Sequence, residues 1–388
     1  MSPSQRSPKY RVVESALRAR IAAGTLPQGA KLPSEHALAE EFGVAYGTMR
    51  QAVSGLVREG LLLRVQGSGT FVRPDGTAQT TRTMALIVPS LPGLWNVAGF
   101  YYLPPIVQGF CLEATRLGYE PTVLGGIADV SRLTRNSPES LYGIACLLTH
   151  KEDNAIAEKL SDLGLPLVCI NAYHGRRALA SVAADQKQGM EAVVALLARH
   201  GHRRIAFLPG TAGNLGPLER LAAFRAAMKR HGLEPLFPAR RLPDEAQTQT
   251  AEASVIVQPL LTRSQPPTAI VAAGDMLALG TLQALQQMAL RVPEDISLVG
   301  FGDYHFAPFL HPPLTTVRLP LMQLGTEAAI YLDRRLSDHE KRRHVLLPVE
   351  LIERGTVGPA PARAPSAPQA PAPTPILPSP RFLKQSRS

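Results

Sequence analysis

From residue 84 to residue 301 short apolar runs alternate with longer amphipathic stretches. The runs are MALIV (84–88), PTVL (121–124), IACLL (144–148), PLVCI (166–170), RIAFL (204–208), AIVAA (269–273) and SLVGF (297–301). Each is apolar on both faces, the signature of strands buried inside a parallel sheet. Segments 104–117, 152–163, 187–200, 217–231, 276–289 and 320–336 carry helical spacing between them. Strand–helix alternation of this kind predicts an α/β body of parallel sheets with helices on both faces. Four runs precede residue 180 and three follow it, which predicts two lobes. Lobe 1 is expected at about 84–180 and 304–336, lobe 2 at about 181–303 and 337–357.

Ahead of this body the period changes. Val13, Leu17 and Ile21 fall on one face of a helix over about 9–23. GTLPQGAKLPS interrupts it, and Ser34 is placed to cap a second helix, with Glu35 favourable at its positive end. That helix runs through Leu38 and Phe42 and stops at Gly43. After a short turn a third helix, about 46–59, buries Met49, Val53 and Leu56 or Val57 and ends at Gly60, where a left-handed terminus favours glycine. LLLRV and GTFV, joined through Gln66–Gly69, predict a two-stranded wing. Two helices around a tight turn, the second exposing Tyr46, Thr48, Arg50 and Gln51, are the geometry that sets a helix in a DNA major groove.

Charge follows the same division. Residues 1–73 hold ten Lys/Arg against five Asp/Glu, although the whole chain of 388 residues is only +10. A basic head on a near-neutral body suits a nucleic-acid-binding module joined to a sensor or an enzyme. PDGTAQTTRT (74–83) has no large apolar residue and reads as a linker. Residues 358–388 are rich in Pro and Ala and read as a disordered basic tail. The absence of an apolar run of 18 residues argues against a membrane span, and the charged N-terminal segment against export. Cys111, Cys146 and Cys169 form no CxxC pair, which suits a reducing cytoplasm and argues against both a disulfide frame and a zinc site.

The string LPSEHALAEEFGVAYGTMRQAVSGLVREGLLLRVQGSGTFV resembles the winged helix–turn–helix of the gluconate-repressor (GntR) family of transcription regulators. The resemblance covers residues 8–73 of a domain expected over 1–73. It implies double-stranded operator DNA as a partner, with contacts from His36, Tyr46, Thr48, Arg50, Gln66 and Gly67. Three positions depart from the family pattern: His36 replaces an Arg, Ala45 a Ser/Thr cap and Tyr46 another Arg. Fewer guanidinium groups imply fewer charged phosphate contacts.

From about 84 to 357 the chain resembles the sugar-binding domain of the lactose/galactose-repressor (LacI/GalR) family, itself similar to periplasmic binding proteins. VAADQKQGMEAVVALLARHGHRRIAFLPG (182–210), ERLAAFRAAMKRHGL (219–233) and the stretch from AIVAAGD to PPLTTVRLPLMQLG (269–325) carry it. The resemblance implies a homodimer and a small effector, a monosaccharide, held between the lobes at strand C-terminal ends. Tyr101, Tyr102, Arg220, Asp275 and Asp303 fall on effector-binding positions, with Phe100 and Trp95 as further aromatic candidates. An arginine fork can donate to two vicinal hydroxyls, and carboxylates can accept from them. Asp275 can equally cap the helix that follows it, and Asp185 reads foremost as a cap or hinge. Gly274 and Gly302 stand where the family has Asn and Asp, which suggests a bulkier or less hydroxylated effector.

No cofactor or metal is expected. GTAGNLG lacks the lysine of a phosphate loop, no HExxH occurs, and the body lysines (151, 159, 187, 229 and 341) lie in polar segments unsuited to a Schiff base. The expected protein is therefore a cytoplasmic repressor of a carbohydrate-utilisation operon, released by its sugar. The alternatives are a ligand-independent architectural DNA binder and an enzyme fused to a DNA-binding head.

Overall fold

The computed structural model describes residues 9–58, 60–65, 68–73, 82–88, 97–126, 128–130, 141–210, 213–239, 249–334 and 344–362. The expected linker beyond its last two residues, most of the tail, Gln66, Gly67 and Trp95 lie outside these, as does the side chain of Phe100.

The head consists of α1 (Lys9–Ala22), α2 (Glu35–Glu41), α3 (Tyr46–Arg58) and the hairpin β1 (Leu62–Val65) and β2 (Gly69–Val72). Its apolar faces close on one another: Val13 and Leu17 of α1, Leu38 of α2, Met49, Val53 and Leu56 of α3 and Leu62 and Val72 of the wing are all buried. Each such side chain contributes roughly 1.5–3 kcal/mol on burial. Ser34 caps α2 by accepting from the Ala37 amide at 3.1 Å. Gly60 adopts φ +75°, as its place after the helix requires.

The first sheet of the body contains β3 (Thr83–Ile87), β4 (Glu120–Leu124), β5 (Leu141–Leu147), β6 (Leu167–Ile170), β7 (Ala180–Ala184) and β13 (His344–Leu347), in the order β13-β7-β6-β5-β3-β4. The second contains β8 (Ile205–Leu208), β9 (Pro235–Leu236), β10 (Ala269–Ala272) and β11 (Ser297–Val299), in the order β11-β10-β8-β9. Strands β12 (Thr316–Arg318) and β14 (Glu350–Ile352) form a separate antiparallel pair. The helices are α4 (Val97–Arg116), α5 (Asp153–Ser161), α6 (Gln186–Arg199), α7 (Leu215–Arg230), α8 (Gln249–Leu261), α9 (Asp275–Gln287) and α10 (Leu321–Arg334). All seven predicted runs are strands. Two points differ from the sequence reading. β13 lies within the stretch expected in lobe 2, yet it pairs in parallel with β7 in the first sheet. β7 itself, ASVAA, continues that sheet past residue 180. Its small side chains left little apolar signal, and strand pairing, not hydropathy, assigns it.

Helices α4 and α10 cross with backbone against backbone. A Cβ on Gly325 would lie 2.0 Å from the Ile106 carbonyl oxygen and 2.6 Å from the Phe110 nitrogen, and one on Gly109 2.0 Å from the Met322 oxygen. Neither neighbour is a side chain that can swing away. Gly325→Ala is therefore expected to lower the melting temperature, at the overpacking cost of about 1–3 kcal/mol or more. Gly47→Ala, in α3 with nothing within 4 Å of its added Cβ, should be neutral or stabilising by up to ~1 kcal/mol. Thermal denaturation of the two variants checks the contrast.

Candidate functional site

A cavity of about 140 Å³ opens where strands of both parallel sheets end. Leu148, Asn171 and Ala184 reach it from the C-terminal ends of β5, β6 and β7, and Gly210 and Ala273 from those of β8 and β10. At about 10–15 Å³ for each water-sized sphere, it has room for on the order of ten such groups, the scale of a single sugar ring. Three of the five sequence-predicted effector residues, Tyr102, Arg220 and Asp275, line it.

Arg220 projects from α7 and is buried. Its Nε donates to the Gly216 carbonyl at 3.1 Å and an Nη to the Ala273 carbonyl, and its guanidinium carbon sits 4.6 Å from the centre of the Phe301 ring. Burial pushes its pKa down, against the nearby Tyr304, Tyr102, Glu219 and Asp275, which favour the cation. The fork is thus held by two carbonyls and an aromatic face at the cavity wall.

Asp275 is fully buried, and burial pushes its pKa up to about 6. Its Oδ1 accepts from Thr316 Oγ1 at 2.6 Å and its Oδ2 from the Tyr304 amide at 2.8 Å. It is the first residue of α9, whose N-cap is Gly274, so its side chain ties the helix to the segment after β11 and does not cap the helix. Asp185 does cap: its Oδ1 accepts from the Gln188 amide at 2.9 Å. Tyr102 donates to Asn171 Oδ1 at 2.9 Å, and burial of its hydroxyl raises its pKa.

Tyr101 and Asp303 lie elsewhere. Tyr101 stacks on Tyr304 with ring centres 5.4 Å apart and meets Phe306 edge-on at 5.2 Å. Asp303 is taken by two arginines: Arg318 Nε donates at 2.8 Å and Arg354 Nη2 at 2.6 Å, one to each carboxylate oxygen. Both residues line a neighbouring depression, not the cavity. The expectation that Asp303 accepts from the effector is corrected accordingly: its acceptor sites hold the β12–β14 side of the body together. Gly302 has a structural reason as well. At φ +145°, a Cβ there would come within 3.0 Å of the Tyr304 ring and 3.2 Å of Asp275 Oδ2. Tyr304, which joins the cavity lining, fills that place.

Sequence reasoning missed Tyr304, Asn171, Gln186, Asn214 and His150, all of which line the cavity. Asn214 belongs to the string GTAGNLG, noticed only for its glycines, and Gln186 follows the capping Asp185. Hydrogen bonds also join the two sides of the cavity: the Leu215 amide donates to the Thr149 carbonyl at 2.9 Å, the Lys151 amide to the Gly213 carbonyl at 3.1 Å, and His174 Nε2 meets Glu219 Oε1 at 2.7 Å.

In the head, Tyr46, Thr48 and Arg50 lie on α3, with Tyr46 and Arg50 exposed. His36 stacks on Tyr46, ring centres 4.2 Å apart and planes 14° from parallel. The two positions that depart from the family's arginines are therefore in contact. Arg64 of the wing pairs with Glu35, and Arg20 with Glu41.

A basic helix–turn–helix with a wing, in one chain with two parallel sheets and a cavity at their strand ends, defines a ligand-sensing regulator of transcription. Residues 9–72 match the gntR family of bacterial regulatory proteins, and residues 194–357 the periplasmic binding protein-like domain. The chain is 30% identical over 363 residues to the arabinose metabolism transcriptional repressor of Geobacillus stearothermophilus, spanning 90% of this chain and 97% of that one. It is 29% identical over 285 residues to the repressor CytR of Escherichia coli K12, covering 71% and 79% of the two chains. A crystal structure of a LacI-type regulator from Bacillus cereus superposes with a TM-score of 0.61 at 26% identity, over 72% of this chain and 99% of that one. The protein belongs to the GntR-headed transcriptional repressors with a periplasmic-binding-protein-like body. Among the described residues no helix is long and apolar enough to cross a membrane.

Proposed function

We propose that the protein is a cytoplasmic, non-enzymatic repressor of a carbohydrate-utilisation operon, released from its operator when a monosaccharide occupies the cavity. The observation that carries this reading is the convergence of Tyr102, Arg220 and Asp275 on one sugar-sized cavity in a chain that also carries a DNA-binding head. The arabinose repressor at 30% identity supports a sugar as the effector class. A homodimer is the working form: two heads read the half-sites of a near-palindrome, because two-fold symmetric proteins select two-fold symmetric sites. Operator DNA and sugar must then alter each other's affinity by one common factor, commonly about 5–150-fold. Fluorescence anisotropy titration of operator DNA, with and without saturating sugar, tests the coupling. Overlapping isotherms would overturn it.

His36, Tyr46, Thr48 and Arg50, with Gln66 and Gly67 from the sequence between the two wing strands, form the proposed DNA face. Arg50→Ala should weaken operator binding while leaving sugar affinity intact. If Arg50 contacts a phosphate, the slope of log affinity against log salt becomes shallower by about 0.9. An unchanged slope and affinity in the folded variant removes Arg50 from the face. His36→Arg and Tyr46→Arg, singly, should each steepen the slope by up to the same amount.

A further inference from the structure

The two sheets of the body are joined along the chain by three crossovers. These run from β7 through α6 to β8, from β11 through β12 and α10 to β13, and from β13 through β14 to Thr356, whose carbonyl accepts from the Leu298 amide of β11 at 2.8 Å. A second set of links uses loops that belong to no crossover. Residues 149–151, after β5 of the first sheet, pair antiparallel with residues 213–215, after β8 of the second. His150 bridges Asn214 there, flanked by the Leu215 amide donating to the Thr149 carbonyl at 2.9 Å and the Lys151 amide donating to the Gly213 carbonyl at 3.1 Å. From the loop between β6 and β7, His174 Nε2 meets Glu219 Oε1 of α7 at 2.7 Å. Each is a bond between protein groups, so the set holds without a ligand atom.

The arm that carries His174 is braced on α5. Glu158 Oε1 accepts from Tyr173 Oη at 2.8 Å and from the Arg176 amide at 2.7 Å, and Tyr173 Oη accepts in turn from the Arg177 amide at 3.2 Å. Arg177 Nη1 reaches the Glu158 carbonyl at 3.0 Å and Asp162 Oδ1 at 2.6 Å. The His174 amide itself donates to Asn154 Oδ1 at 3.0 Å. The loop is folded so tightly that a Cβ on Gly175 would lie 2.2 Å from Tyr173 Oη. Residues on both sides of His174 are thus tied to α5, while its ring reaches to the other sheet's helix. An exposed ion pair is weak when two free side chains must be ordered to make it. Here the backbone beneath the histidine is already fixed, and two backbone hydrogen bonds act in the same direction.

We infer that the β6–β7 loop is a strap with His174 as its catch, and that with the pairing of 149–151 and 213–215 it clasps the two sheets together over the cavity through the chain's own contacts. The clasp lies at the cavity wall, where His150, Asn214 and Glu219 are all lining residues. His174 acts through Glu219 and is a positioning residue. On the sensor reading given above, an effector enters and leaves only when the strap opens. The clasp itself does not depend on that reading.

Double electron–electron resonance on the full chain, without sugar, tests the inference. Spin labels go on Lys159→Cys in α5 and Lys229→Cys in α7, both exposed, in a Cys111→Ser background, since Cys146 and Cys169 are buried. The parent should give one short distance. His174→Glu sets two carboxylates against each other and should add a longer distance, raising the ratio of open to clasped molecules by about fivefold or more. Adding Glu219→Lys to that variant should restore the short distance, a rescue that a merely structural role of His174 would not show. Leu215→Pro, at the first position of α7 where proline is tolerated, deletes the amide that donates to Thr149 and should open the clasp independently. An open or broad distribution in the parent overturns the inference, and so do parent-like distances in both His174→Glu and Leu215→Pro. Either result leaves the sensor reading standing, and failure of every sugar to bind would count against that reading alone.

Discussion

Replacing Arg220 by alanine is expected to reduce sugar affinity by at least ten- to a hundredfold and to lower the melting temperature of the body. A charge-assisted hydrogen bond contributes about 1.5–3 kcal/mol, and tenfold in affinity corresponds to about 1.4 kcal/mol. Arg220 has two structural tasks besides any contact to ligand. It binds the Gly216 carbonyl within α7 and the Ala273 carbonyl just past β10, and it covers the Phe301 ring. Alanine leaves the Ala273 oxygen without that donor and empties the volume beside the ring. Lysine should not rescue, because a single ammonium on a flexible stem cannot reproduce a planar fork between two carbonyls. Calorimetry with the cognate sugar and thermal melting measure the two effects separately, and operator affinity without sugar serves as the control on the head. Sugar affinity undiminished in the alanine variant would remove Arg220 from the binding site.

The second large effect concerns acid. Burial raises the pKa of Asp275 from its ordinary value near 4 to about 6, so the folded state takes up a proton more readily than the unfolded state does. The sign follows. The stabilisation associated with this group is fully present below about pH 4 and is lost as pH rises through 6. A shift of roughly two units corresponds to about 3 kcal/mol. Asp275→Asn cannot titrate, although it also weakens the site outright, since one of its two polar atoms cannot accept from Thr316 or the Tyr304 amide. The informative quantity is the difference between the parent and Asp275→Asn across pH. The parent should gain roughly 2–2.5 kcal/mol relative to the variant on going from pH 7 to pH 4, measured by urea denaturation at a series of pH values. Parallel stability curves would show that the carboxyl titrates normally.

Contacts inside single elements were legible from the sequence. Strands covered on both faces must be apolar throughout, so all seven runs identified themselves. Ser34 and Asp185 cap helices three residues downstream, well within the reach of a local pattern. The three helices of the head and the two wing strands were readable, because each is encoded within a few residues. Helix α8 went unread, since QTAEASVIVQPLL carries a proline near its end and a weak apolar stripe.

At the cavity, Arg220 and Asp275 were legible from their motifs as residues, but their tertiary partners were not. Ala273 lies 53 residues from Arg220, and Thr316 lies 41 from Asp275. Asp303 shows the limit most plainly: its two arginine partners stand 15 and 51 residues away, and only their convergence turns a candidate sugar acceptor into a structural ion pair. Gln186 and Asn214 are ordinary polar residues at helix starts until the fold brings α6 and α7 to one cavity. A hydrogen bond is specific to ångströms, whereas sequence pattern reports only periodicity and burial. The sequence therefore determined which segments are strands, helices and head, and the tertiary structure alone decided which polar side chains meet at the cavity and which bind one another.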